Sequence, residues 1–439
     1  MREGKPPKLT EIPAFNAYMG TQWDTLDRTP TVVPGAVEAA AAHRARLAAA
    51  LPGRTVVIAA GEAPIRSNDT AYDFRPDSDF YWLTGCAIEN AVVVVNSGDA
   101  VLYMPPPAYP GDLGFWSDAR YGELWVGAAP GPEDWARVLG IDVRPLSELR
   151  DEVLADQEVA RTLASLRMYK DAWEIDQLRQ AVDRTVEGFA EVVREIPAAV
   201  AGRGERWLQG TFDRYARAYG NGPGYASIVG SGKHAPTLHW VRCDGPVLPE
   251  ELLLLDMGVE VASHYTADVT RTFPASGRFS AAQRQVHDLV EKAHRAGLAA
   301  VGPGHAFTEF HHASMEVIAR GLDDWGLLPV SVDEALSDTG QHHRRYLICG
   351  IGHHLGLDVH DCAQAAPEAY QGATMGEGMV LTVEPGLYFH AHDLTVPPEL
   401  RGIGVRIEDD ILVTRDGSEV LSRALPLDAD GLEKWMAGQ

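Results

Sequence analysis

A chain of 439 residues, 45 % apolar and 23 % charged, has the composition of an ordinary globular protein of two or three domains and excludes a disordered or collagenous one. Its 62 acidic residues against 38 basic ones leave a net charge of −24, which repels nucleic acid and anionic membranes and argues against both as partners. No apolar run approaches the roughly 18 residues of a membrane span. The N-terminal stretch MREGKPPKLTEIP has no apolar core of a secretory signal, and Cys86, Cys243, Cys349 and Cys362 are too scattered for a disulfide framework or a CxxC metal site, so a reduced, cytoplasmic protein is expected.

In chain order, Ala36–Leu51 reads as a helix ended by Pro52-Gly53. Thr55–Ala60, Ala91–Val95 and Val101–Met104 are short, β-branched apolar runs that read as strands, and Ser147–Leu154 has a helical pattern. The alternation predicts a separate α/β domain. A second composition starts near Leu166. Asp171 and Glu174 form a capping box for a helix carrying Ile175, Leu178, Val182, Val186, Phe189 and Val193, and Ser280 with Gln283 opens another that ends at Gly302-Pro303. The runs Leu252–Met257, His264–Phe273, Met379–Glu384 and Gly404–Val413 read as strands of one largely antiparallel sheet, making this half α+β.

Several sites are excluded. Neither HExxH nor GxSxG occurs, Gly230-Ser231-Gly232-Lys233 lacks the first glycine and the final Ser/Thr of a phosphate loop, and Gly350-x-Gly352-x-x-x-Gly356 is one residue too long for a dinucleotide fingerprint. What remains is a set of acids on strand patterns. Asp256 shares a face with Leu252 and Leu254, Asp268 with Thr270 and Thr272, Glu384 with Val380 and Thr382, and Glu408 with Arg406. Acids in apolar strands must be paired, hydrogen-bonded or bound to metal. Fifteen of the 16 histidines follow residue 233, and Gly350–His360 is rich in glycine and histidine. Four carboxylates in one site repel unless cations lie between them, and oxygen-rich ligation with one imidazole favours Mn²⁺, Fe²⁺, Co²⁺ or Mg²⁺ over thiolate-type zinc.

Five stretches, LLLLDMG (Leu252–Gly258), YTADVTRTFP (Tyr265–Pro274), GHHLGLDVHD (Gly352–Asp361), LTVEPGLYF (Leu381–Phe389) and RGIGVRIEDD (Arg401–Asp410), together resemble the pita-bread metallopeptidases, and in particular their aminopeptidase P (Xaa-Pro aminopeptidase) branch. IRSNDTAYDFRPDSDFYWLTG (Ile65–Gly85) resembles that branch's N-terminal domain. The resemblance implies an N-terminal extension (1–30), an α/β N-terminal domain (31–162) and an α+β pita-bread catalytic domain of creatinase/aminopeptidase type (163–439). It implies two divalent metal ions per chain, Mn²⁺ foremost, with Asp256 on one ion, Asp268 and Glu408 bridging, and His353 and Glu384 completing the other shell. The neighbouring His354 is expected to be structural. His239 and His360 match substrate-side histidines, Tyr388 and Arg406 match residues that support the ligands, and Tyr225 with the Gly230-Ser231-Gly232 turn matches the wall that receives substrate. In the implied reaction, activated water attacks the carbonyl before a proline in second position. Glu384 manages the proton, and His360 and the metal stabilise the oxyanion. A homodimer or homotetramer is implied, with the N-terminal domain limiting access to a neighbouring subunit.

One departure stands out. Where the family commonly has the first histidine of HGxxH, this sequence has Cys349. The thiol is a poor substitute for a cationic donor. It leaves two alternatives open beside the aminopeptidase: an Xaa-Pro dipeptidase, and a hydrolase or lyase of the same fold acting on another small molecule.

Overall fold

The computed structural model describes residues 7–439; the first six residues of the expected N-terminal extension lie outside it. The chain forms two compact units, Met1–Val159 and Ala160–Gln439.

In the first unit, helix α1 (Ala36–Ala50) precedes strand β1 (Thr55–Ala59). Strands β2 (Val92–Asn96) and β3 (Asp99–Met104) form a hairpin, and β4 (Asp142–Pro145) completes a four-stranded sheet in the order β1-β2-β3-β4. Only the β3–β4 pair is parallel. The helix expected over Ser147–Leu154 is absent: only a single turn at Leu146–Glu148 forms, and the next helix begins at Gln157. Asp156 explains the shift, because its Oδ1 accepts from the backbone N–H of Glu158 and of Val159 and so caps the later helix. Upstream, Val153 and Leu154 are exposed, so a helix there would bury no apolar face.

The second unit follows its expected helices closely. Helix α2 (Ala172–Arg194) starts on the reciprocal bonds of Asp171 and Glu174, and buries Leu178, Val182, Phe189 and Val193 along one stripe. Helix α3 (Gly204–Tyr219) lies against it. Helix α4 (Ala281–Ala299) opens on the Ser280–Gln283 box and packs on α5 (Glu309–Asp324). Between these helices and the strands lies the core, with Val286, Val290, Phe310 and Ile318 meeting Leu381, Val405, Ile411 and Val413. Each such side chain stabilises the fold by about 1.5–3 kcal/mol relative to exposure.

The strands do not make the one sheet that the sequence suggests. Strands β5 (Ile228–Ser231), β6 (Leu252–Met257) and β7 (Val269–Pro274) form one antiparallel sheet in the order β7-β6-β5. Strand β8 (Val380–Val383) pairs with β11 (Asp409–Thr414) in a second, and β9 (Gly386–Tyr388) pairs with β10 (Gly404–Arg406) in a third. Ahead of β7 the chain turns at Ala262-Ser263 and makes only an isolated bridge at Thr266, and the run expected over Gly404–Val413 breaks at Ile407-Glu408. The break lets Glu408 form an isolated bridge to Thr270, its N–H donating to the Thr270 carbonyl at 3.1 Å. This bridge joins the sheets, and the acids gather around it.

Candidate metal centre and cavity

The register places the first contacts. On β6, Asp256 pairs with Thr270 of β7 on one side and with Ile228 of β5 on the other. Thr270 Oγ1 donates to Glu408 Oε2 at 2.6 Å and accepts from Arg406 Nε at 3.1 Å. Asp256 takes two further donors, the Tyr225 hydroxyl at 2.6 Å on Oδ1 and Arg406 Nη2 on Oδ2. The other guanidinium nitrogen, Nη1, donates to the Tyr388 hydroxyl at 3.0 Å. Asp268 is held by its own N–H on Asp410 Oδ2 at 3.1 Å.

His353 arrives from the loop after Gly352. A Cβ on that glycine would run into the Thr382 carbonyl, so only glycine lets the loop press against β8. The His353 N–H donates to Thr382 Oγ1 at 3.1 Å, and the Thr382 N–H returns to the His353 carbonyl at 2.9 Å. Its Nδ1 faces the His354 carbonyl at 3.1 Å and donates there, which turns Nε2 towards the carboxylates, as a proton donor in the charged ring and as the free nitrogen a cation would take once that proton leaves. Nε2 lies 3.4 Å from both Asp268 Oδ2 and Glu384 Oε1. Ligand atoms of Asp268, His353 and Glu408 all lie within 4.8 Å of one another.

Burial pushes the Asp256 carboxyl up, with Arg406 opposing and Asp268 adding. Burial also carries Glu384 up to about 7 and Glu408 well above the usual carboxylate range, with Asp268 adding to both shifts. His353 moves to about 9: burial works against its charge, and the Asp268 and Glu384 oxygens outweigh it. This is a cluster short of positive charge, with oxygen donors and one imidazole nitrogen aimed at common points. The donor set fits divalent cations of the oxygen-preferring kind.

A cavity of about 430 Å³ opens beside the cluster. Asp256, Asp268, His353, Glu384, Arg406 and Glu408 line its floor, and His239, His360 and Tyr225 its sides. His239 and His360 are exposed to it, and His360 packs edge-on against the His353 ring at 4.4 Å between centroids. Burial and the His353 charge lower the His360 pKa. Tyr388 supports Arg406 from behind. The Gly230-Ser231-Gly232 turn, expected in the wall, does not reach it; Tyr225, Ala226 and Ile228 do. His354 points away from the cavity and packs between Phe307 and Tyr370. Cys349 lines the cavity, its thiol pushed up to about 11 by burial and by Glu384, and therefore neutral.

Thr270 and Thr382 were not singled out by sequence, although Thr270 shares the strand alternation of Asp268 and Thr382 that of Glu384. Leu238, Val241 and Val359 form an apolar part of the wall that had no sequence signal at all.

Residues 176–415 match the profile of metallopeptidase family M24, and residues 40–162 that of the aminopeptidase P N-terminal domain. Xaa-Pro aminopeptidase 2 of Streptomyces coelicolor is 44 % identical over 454 aligned positions, covering 96 % of each chain. Xaa-Pro aminopeptidase 1 of the same organism is 47 % identical over 428 positions, covering 90 % of this chain and 86 % of the relative. Aminopeptidase P from Escherichia coli, solved with the inhibitor Pro-Leu, aligns with a TM-score of 0.81 at 27 % identity, covering 93 % of this chain and 99 % of that one. The Pseudomonas aeruginosa aminopeptidase PepP aligns with a TM-score of 0.80 at 29 % identity over the same shares. By profile, relatives and fold together, the chain belongs to metallopeptidase family M24, with an aminopeptidase P-type N-terminal domain followed by a pita-bread catalytic domain.

Proposed function

We propose that this protein is a metal-dependent Xaa-Pro aminopeptidase that releases the N-terminal residue from peptides with proline in second position. The observation that carries the reading is the convergence of Asp256, Asp268, His353, Glu384 and Glu408 on one cavity with an apolar wall, in a chain 44 % identical along 96 % of its length to a named Xaa-Pro aminopeptidase. Those five residues would hold two divalent ions, with Mn²⁺ the preferred metal. Bound there, such ions supply Lewis acidity and make water acidic enough to attack near neutral pH.

The chain's own groups do the rest. Asp256, fixed by Tyr225 and Arg406, receives the substrate's free α-amine, which restricts cleavage to the first residue. Glu384 accepts the proton of the attacking water and passes it to the departing prolyl nitrogen. His360 donates to the oxygen of the scissile carbonyl as charge develops on it. His239 contacts the proline side, where Leu238 and Val241 exclude water from the ring. Tyr388 keeps the guanidinium of Arg406 against Asp256.

Residues 1–30 then form an extension, 31–162 the access-limiting domain and 163–439 the catalytic one. The SNDTAYDFRPDSDF stretch, rich in polar and aromatic groups, supports a homodimer or homotetramer in which that domain faces a neighbour's cavity mouth. Free, widely spaced cysteines suit the cytoplasm.

The test is hydrolysis of one Xaa-Pro tripeptide, its Xaa-Ala counterpart and the Xaa-Pro dipeptide, each with Mn²⁺ and with chelator. Metal-dependent cleavage of the first alone is expected. Cleavage of only the dipeptide would assign a dipeptidase, and no cleavage of either proline substrate by the metal-loaded protein would end the reading.

A further inference from the structure

Helix α3 carries Glu205, Gln209 and Asp213 at intervals of four, so three polar side chains share one stripe. The stripe is not turned to solvent. Glu205 is fully buried and receives four donors. Its Oε1 accepts from the Ser231 N–H and from His234 Nδ1, each at 2.8 Å. Its Oε2 accepts from Trp240 Nε1 at 2.8 Å and from the Gly245 N–H at 2.7 Å. Gln209 Nε2 donates to the Ser227 carbonyl at 3.2 Å and the Val241 carbonyl at 3.4 Å, and Ser227 Oγ donates to Asp213 Oδ1 at 3.1 Å. His234 stacks on Trp240 at 3.8 Å.

Every partner lies within residues 227–245, the segment that presents Leu238, His239 and Val241 to the cavity. From 235 to 251 the chain has neither helix nor strand, so no ladder fixes it. His239 has no side-chain hydrogen bond of its own among the described residues; its place is set by its backbone alone. Its neighbour Trp240 is pinned to Glu205, and the Val241 N–H closes a tight turn on the His239 carbonyl at 2.9 Å. A buried carboxylate is expensive unless fully satisfied, and here all of its bonds go to the segment that carries Leu238, His239 and Val241 into the wall of the site.

We propose that Glu205 is a positioning residue that fixes His239 for peptide hydrolysis through Trp240 and the backbone of 231–245. The proposal rests on the reading of His239 as a substrate contact. In Glu205→Gln an amide NH₂ replaces one acceptor oxygen and opposes two of the four donors. The segment then gains freedom, and a displacement of about 1 Å at a catalytic contact lowers the rate by up to roughly 10²-fold.

The test compares Glu205→Gln, His239→Ala and the double variant on one Xaa-Pro tripeptide, with metal content measured in each and hydrogen exchange followed over 227–245. Glu205→Gln should lower kcat/KM by about 10–10²-fold with metal content intact and faster exchange in that segment. Added to His239→Ala, it should cost no more than about twofold further, because its route is already gone. Trp240→Phe, which removes a single donor, should act in the same direction more weakly and also vanish in the His239→Ala background; it decides the matter where Glu205→Gln does not fold. Additive losses, or lost activity with unchanged exchange, would overturn the link through His239. Faster exchange with full activity in both single variants would instead overturn the catalytic role of His239, and the proposal with it.

Discussion

Two sets of buried carboxylates in the C-terminal unit differ in how they are neutralised. Asp409 is fully buried, yet Arg271 Nη2 lies 2.6 Å from it, Ser422 donates at 2.5 Å and His294 Nε2 stands 3.2 Å away. Asp361 is likewise clamped by Arg167 and by Lys170 Nζ at 3.0 Å. Burial raises both carboxyl pKa values, and these cations outweigh it and hold both far below the usual range. Around the cavity the balance reverses: Asp256, Asp268, Glu384 and Glu408 share Arg406 and His353, and burial keeps Asp256, Glu384 and Glu408 raised. Asp361 and Asp409 each bring cations of their own, whereas the four acids around the cavity share too few.

The largest effect should come from the deficient side. Glu408→Ala should lower Xaa-Pro hydrolysis by at least about 10³-fold and metal content from about two ions per chain, and chelation should abolish the activity of the parent. Elemental analysis after Mn²⁺ saturation checks this; a parent without metal would break the comparison at its root.

The compensated side should respond in stability instead. Asp361→Asn removes the carboxylate that Lys170 and Arg167 share and should cost about 3–5 kcal/mol in denaturant unfolding. Metal-free Glu408→Gln should be neutral or stabilising, since it removes a like charge. Equal destabilisation by both would erase the distinction.

Cys349 tests whether positive charge on the cavity wall matters. Cys349→His places a protonatable donor beside Glu384 and should raise kcat by up to about 10²-fold with metal content unchanged. Cys349→Ser should stay within about twofold of the parent. A fast parent that loses activity on Cys349→His would mean that the cavity is built around the thiol.

The smallest effect is one of pH. His287 is buried without a hydrogen-bond partner among the described residues, and burial, then Arg271 and Arg284, lower its pKa from 6.5 to about 3. Below 6.5 the unfolded chain binds a proton that the folded one refuses. Stability is therefore complete above that pH and is lost as pH falls from 6.5 towards 3, by about 1.4 kcal/mol per unit at most. His287→Leu should flatten that slope; an unchanged slope would show that the ring accepts its proton in place.

Much of the site was legible because acids are out of character in apolar strands. Asp256 at the end of LLLLD, Glu384 after LTV and Glu408 beside Arg406 each announced a requirement for a cation. The capping boxes located α2 and α4, the two longest helices of the C-terminal unit, and left α3 and α5 unread. The joining of separate sheets was hidden, because the Thr270–Glu408 bridge spans 138 residues and depends on a break in a run that reads as one strand. Leu238 and Val241 look like ordinary loop residues until Glu205 is seen to anchor their segment. The expected Ser147–Leu154 helix failed for a local reason, the better cap at Asp156.

The break at Ile407-Glu408 also bears on how this chain can change over evolutionary time. Three acids in succession serve three directions: Glu408 the cavity, Asp409 the arginine behind it, and Asp410 the N–H of Asp268. Chemically they are near-equivalents; only their count along the backbone tells them apart. Exchanges among acids here are small edits, whereas inserting or deleting one residue between Arg406 and Asp410 would deal each carboxylate to the wrong face. Lineages that keep the activity should therefore tolerate exchange of one acid for another in this stretch more readily than any change in its length.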